Sequence, residues 1–114
     1  MIKRLSLLIA LLLMATPAWA VSNQDRYVNT ASTAGGDGTT NGTAGATRAY
    51  ATLAAAISAE ATNLVTADVV LRIYCAGTTA DSFDGDFTGY TTDATRYVRI
   101  IGNTGDAAGA HAGI

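Results

Sequence analysis

Lysine occurs only at position 3, and proline, cysteine, histidine and tryptophan occur once each. The lone cysteine, Cys75, rules out an internal disulfide in a chain of 114 residues. Small secreted domains often rely on such bridges, because a short chain buries a limited fraction of its surface. Another staple is therefore expected: a metal, an oligomer partner, or more chain than these residues contain. The shortage of cations is equally informative. Beyond residue 20 there are five arginines and no lysine, against eight aspartates and one glutamate, so the formal charge there is −4 with His111 neutral. That balance argues against a polyanion-binding surface and against nucleic acid. Long apolar runs are also missing. The one strongly apolar stretch, LSLLIALLLMA at positions 5–15, falls short of the roughly 18 residues that suggest a membrane-spanning helix.

What is present begins with an export pattern. Lys3 and Arg4 form a charged start, the leucine-rich run follows, Pro17 breaks it, and Ala18-Trp19-Ala20 supplies a small-x-small cleavage site. Residues 1–20 read as a signal peptide, with an uncleaved anchor as the rival reading. The expected location is secreted or periplasmic, with no membrane association after cleavage. Removing twenty residues from 114 leaves 94, enough for one small domain over residues 21–114.

Residues 25–29, DRYVN, read as a short strand with Tyr27 or Val28 facing inward. Five glycines and five threonines then fall between Thr33 and Thr47 without periodicity, so this stretch reads as loop. Its Gly35-Gly36-Asp37-Gly38 run lacks the later aspartate of a calcium-binding nonapeptide repeat. Asn41-Gly42-Thr43 is a formal glycosylation sequon and equally an Asn-Gly turn.

Residues 48–77 hold the best-ordered pattern. Tyr50, Leu53, Ile57, Ala61 and Leu64 recur at steps of three and four, which predicts a helix over residues 52–63 with Thr52 as its N-cap. The stripe is rich in alanine, so the helix covers a partner closely but buries little area alone. VVLRIYC at 69–75 predicts a strand. With Arg72 outward, Val70 and Tyr74 also face out, while Val69, Leu71, Ile73 and Cys75 face the core. Cys75 then reads as a buried, inert thiol, with no basic neighbour in sequence to activate it.

Residues 78–95 are polar and carry the densest carboxylate group: Asp81, Asp84, Asp86 and Asp93. Such residues can hold calcium or run acid–base chemistry, but the spacing lacks the alternation and closing glutamate of an EF-hand loop. Solvated turn aspartates are the simpler reading. A short strand could start near Phe87. YVRII at 97–101 predicts another strand with Arg99 outward and Val98 and Ile100 inward. Leu71 lies 27 positions before Val98, and Ile73 lies 27 before Ile100. Two strands with matching core faces and a polar connection suggest successive rungs of a coil. The tail from Gly102 is loop-like; His111 has no second histidine or nucleophile to work with. The chain stops on Ile114 with no capping element, which suggests an interrupted chain.

The order of these pieces resembles the start of secreted right-handed parallel β-helix proteins of the pectin-lyase-like superfamily. The pieces are the Tyr27-Val28 strand, the GGDGT loop, the helix from Ala51, the strand VVLRIYCAGTT, and YVRIIG. The resemblance spans residues 26–102 and is largely compositional. It implies a mainly β fold: an N-terminal helical cap over residues 52–63 and the first rungs of a β-helix, a truncated solenoid. It further implies an exported protein that binds or acts on extracellular polysaccharide, this portion being non-catalytic. No catalytic, cofactor or metal residue carries over, because lyases of that superfamily place theirs on middle rungs. Two alternatives stand beside it. One is part of a polysaccharide lyase or glycoside hydrolase whose active residues lie beyond Ile114. The other is a small secreted adhesion or binding module.

Overall fold

The computed structural model describes residues 20–83 and 85–102. Its frame is a sheet of three parallel strands in chain order: β1 (Ser22–Asn29), β2 (Val69–Ala76) and β3 (Val98–Gly102). Two short helices, α1 (Leu53–Ala59) and α2 (Leu64–Ala67), lie in the connection between β1 and β2. The described residues are thus mainly strand with few helices, as the sequence pattern suggested. No described helix is long and apolar enough to cross a membrane. The expected signal peptide and His111 fall outside the described residues.

The strand register follows the apolar pattern. Leu71 pairs with Val98 and Ile73 with Ile100, the two pairs separated by 27 positions in the sequence. On the other side Arg26 pairs with Ile73 and Val28 with Cys75. Because side chains alternate along a strand, this register puts Val28, Leu71, Ile73 and Cys75 on one face, all essentially inaccessible to solvent. Leu53, Ala56, Ile57 and Leu64 close over them from the helical side. Phe83 and Tyr90 complete the cover, and the Tyr90 hydroxyl donates to the Ile57 carbonyl at 2.7 Å. Of the two inward candidates on β1, Val28 faces the core and Tyr27 faces out.

The helical segment differs from the single helix predicted over residues 52–63. Thr52 is the N-cap, and its hydroxyl accepts from the Ala55 N–H. The helix ends at Glu60, however, and a new one starts at Leu64 with Asn63 as its own cap, accepting from Thr66 N–H. The break has a physical cause. Glu60 is held by partners on β1 and at Tyr50, and Asn63 supplies a competing cap. Leu64 is therefore buried through α2, while Ala61 is exposed. Asp68, in left-handed conformation at φ 58°, reverses the chain into β2. The weak strand considered near Phe87 is a turn closed by Tyr90 N–H to the Phe87 carbonyl.

The glycine- and threonine-rich loop covers the C-terminal part of the outer edge of β1. Tyr27 N–H donates to the Gly38 carbonyl and Asn29 N–H to that of Tyr50, whose own N–H returns to the Tyr27 carbonyl. Arg48 gathers the loop, donating to the carbonyls of Thr33 at 3.1 Å, Gly45 at 2.6 Å and Ala34. Gly36 lies so close to this turn that a Cβ there would sit 2.2 Å from the Arg48 carbonyl oxygen. The low-complexity composition thus answers a demand for close backbone approach.

Candidate functional site

The sheet's outward face carries two rows of aligned side chains. Asp25, Arg72 and Arg99 stand side by side across the three strands, and Tyr27, Tyr74 and Ile101 form the row beside them. Arg72 donates to Asp25 through two nitrogens, Nε at 2.6 Å and Nη2 at 2.8 Å. That bidentate contact holds the guanidinium above its ordinary pKa. Tyr27 and Tyr74 stack with ring centroids 5.5 Å apart and planes 22° from parallel. The Arg72 guanidinium lies 5.7 Å from the Tyr74 ring centroid, within cation–π range. Arg99 is exposed at the open end of its row. The result is a half-buried aromatic platform flanked by guanidinium groups and one carboxylate. Outward placement of Arg72, Tyr74 and Arg99 was legible from strand parity. Their alignment with Asp25 and Tyr27 was not. In hindsight the signal is a charged–x–apolar motif at 25–27, 72–74 and 99–101.

A second polar cluster sits at the end of the core. The Glu60 carboxylate accepts from Arg26 Nε at 2.7 Å, Tyr50 hydroxyl at 2.6 Å and Gln24 Nε2 at 3.0 Å. Its side chain is only 11 % exposed, and that of Arg26 22 %. Burial, reinforced by the Glu60 contact, raises the Tyr50 pKa, so the phenol stays neutral and donating. Gln24 and Arg26 point to the core side of β1, where Glu60 supplies a countercharge for the partly buried guanidinium. Glu60 lies off the apolar stripe of residues 50–64, and nothing in the sequence pattern signals this cluster.

The candidate carboxylates do not converge. Asp81 Oδ2 accepts from Leu53 N–H at 2.5 Å and so supports the start of α1. Asp86 accepts from Thr88 N–H at 3.0 Å, which closes a local turn. Asp93 accepts from the Thr95 and Arg96 N–H groups and also pairs with Arg96 Nη1 at 3.1 Å. Hydrogen bonding within these turns lowers the pKa of both Asp86 and Asp93. Asp84 lies outside the described residues. Among those described, no group of three or more His, Cys, Asp or Glu side chains is placed to hold a metal ion. Asp37 likewise accepts from the N–H and hydroxyl of Thr39, an Asx turn that uses the oxygen a calcium loop would need.

Cys75 is fully buried, and burial pushes its thiol up to about 11, assisted by the Asp81 charge. It packs against the core cluster, as its place in the strand predicted. Two shallow concavities lie among the described residues. A cleft of about 330 Å³ runs between α1 and the segment of Phe83, Gly85 and Asp86, with Ile57, Ser58 and Ala61 on its helical side. A groove of about 260 Å³ lies beside the start of β3, between Phe87, Tyr90, Tyr97 and Val98. Phe87 and Tyr97 are among the most exposed large apolar residues described.

Comparison of the chain with protein families, with curated proteins and with solved structures yields no match.

Proposed function

We propose that this chain forms the capped starting end of an exported right-handed parallel β-helix, whose outward sheet face binds extracellular polysaccharide. The observation that carries the reading is the in-register parallel ladder, with the rows Asp25–Arg72–Arg99 and Tyr27–Tyr74–Ile101 on its outward face. Three parallel strands adjacent in chain order require crossover connections, and such connections are right-handed in about 98 % of cases. Repetition of that move is a coil. The loop over the edge of β1 at Tyr27 and Asn29 supports its role as the start: a terminal unit needs its unpaired backbone groups covered. The leucine-rich leader supports export.

Polysaccharide suits the chemistry of the outward face. Tyrosine rings offer an apolar surface to the C–H face of a pyranose, while the phenol, guanidinium and carboxylate groups meet its hydroxyls. Rows repeated along a sheet suit a polymer better than a single small ligand. Within the strands, Asp25 is the one outward carboxylate, and Arg72 occupies both of its oxygens. The face is therefore better suited to holding a glycan than to cleaving it.

Affinity electrophoresis against a panel of neutral and uronate-containing polysaccharides tests the proposal. The protein should be retarded by at least one class, and Tyr74→Ala should abolish that retardation while its circular dichroism spectrum is retained. No retardation by any member, or equal retardation of Tyr74→Ala, overturns the polysaccharide reading.

A further inference from the structure

The two edges of the sheet are unequal. The outer edge of β1 is bonded at Tyr27 and Asn29 by its own following segment, whereas no described residue pairs with the far edge of β3. The direction of the free groups follows from the ladder. Leu71 N–H donates to the Tyr97 carbonyl. In a parallel pair, alternate residues of a strand bond to one neighbour and the intervening residues to the other. Arg99 and Ile101 therefore continue the bonds to β2, and the N–H and C=O groups of Val98 and Ile100 point away from it. Their side chains are only half-buried, so the core is also left open at this edge.

Charge specifies what fits there. Arg72 is neutralised by Asp25, and Arg96 by Asp68 and Asp93. No described carboxylate pairs with Arg99, which is exposed and stands next to the cationic Arg72 in the outward row. A neighbouring strand with a basic residue at that register would extend a run of like charges, which is unfavourable directly across a sheet. A strand with a carboxylate there would place opposite charge against Arg99. Apolar residues on either side of it would extend the core beyond Val98 and Ile100.

We infer that the free edge of β3 is a docking site for a parallel β-strand that sets a glutamate or aspartate beside Arg99, flanked on both sides by β-branched residues. Backbone bonds to Val98 and Ile100 hold it, and Arg99 selects it. This rests on the parallel ladder of the proposed coil, with the added strand supplied by another chain, and it makes no use of the polysaccharide.

The probe is a blocked, fluorophore-labelled peptide of alternating threonine and isoleucine with one central glutamate at an outward position, and its lysine counterpart. Binding is followed by anisotropy and by amide exchange in the intact protein. The glutamate peptide should slow exchange at Val98 and Ile100 at least tenfold and leave Arg99 and Ile101 unchanged. It should bind at least tenfold more tightly than the lysine peptide, and Arg99→Glu should reverse that preference. Equal binding of the two peptides, or no slowing at Val98 and Ile100, overturns the inference. Amides at those positions that already exchange slowly in the protein alone also overturn it, because the edge is then occupied by the chain itself. Tyr74→Ala should retain peptide binding. Peptide binding by the unaltered protein without retardation by any polysaccharide therefore refutes the polysaccharide reading and leaves this one standing.

Discussion

Glu60 is the residue whose removal should be felt most widely, because one carboxylate joins the end of α1, strand β1 and the turn at Tyr50. Glu60→Ala leaves the Arg26 guanidinium, 22 % exposed, without its countercharge and the Tyr50 hydroxyl without its acceptor. Hydrogen bonds to charged groups contribute about 1.5–3 kcal/mol each, and breaking a buried ion pair costs about 3–5 kcal/mol. The pair here is only partly buried, and Arg26 Nη1 keeps its bond to the Asp25 carbonyl. A net loss of about 2–4 kcal/mol is the reasoned value once solvent screening is allowed for. In a domain of this size that lowers the melting midpoint by roughly 10–25 °C. Glu60→Gln keeps one acceptor oxygen for Tyr50 and Arg26 but loses the charge and the acceptor for Gln24 Nε2, so it should fall between wild type and alanine. Chemical denaturation of Glu60→Ala, Arg26→Ala and the double variant measures the coupling directly. Additive single losses, or a Glu60→Ala loss below about 1 kcal/mol, would refute the claim that this cluster pins α1 to the sheet.

Other substitutions probe separate features. Gly77 has φ +116°, and a Cβ there would sit 2.0 Å from Thr30 Oγ1, so Gly77→Ala should destabilise by at least about 2 kcal/mol in urea denaturation. Leu64→Ala should cost about 2–5 kcal/mol, while the neighbouring, exposed Val65→Ala should stay within about 0.5 kcal/mol; equal losses would contradict the placement of Leu64 in the core. Asp81→Ala leaves Leu53 N–H without its carboxylate and should cost about 0.5–2 kcal/mol, read as a lower melting midpoint. Alkaline pH should unfold the protein early. Cys75 rises from 9.0 to about 11 and Tyr90 from 10.0 to about 12, and Tyr50 is also raised, chiefly by burial in each case. The folded state binds these protons more tightly, so their contribution is fully present below pH 9 and is lost progressively as pH rises through 9 to 12. Cys75→Ser and Tyr90→Phe should each flatten part of that decline in a stability-versus-pH series.

Strand positions and their inward residues were open to reading because they depend on a short-range property, the alternation of side chains along extended backbone. The arginines gave the parity: a guanidinium at 72 or 99 is cheaper in water, so Leu71, Ile73, Val98 and Ile100 had to turn inward. The equal 27-residue spacing anticipated the pairing of Leu71 with Val98 because a parallel ladder aligns matching faces. Thr52 was recognisable as a cap for a similar reason, since its partner lies only three residues away.

The remaining features needed the fold. Glu60 ends α1 because Gln24 and Arg26, more than thirty positions earlier, arrive beside it when β1 pairs with β2. Asp81 looked like one of four clustered aspartates, yet its partner Leu53 stands 28 positions away. The loop of glycine and threonine carries no periodic signal, because its order comes from carbonyls gathered around one arginine and from the edge of a strand it covers. By itself the chain determined which residues seek the core, where its first helix begins and which strands can share a face. Tertiary structure alone decided which charges meet, since ion pairing depends on distance in space and the sequence specifies only distance along the backbone.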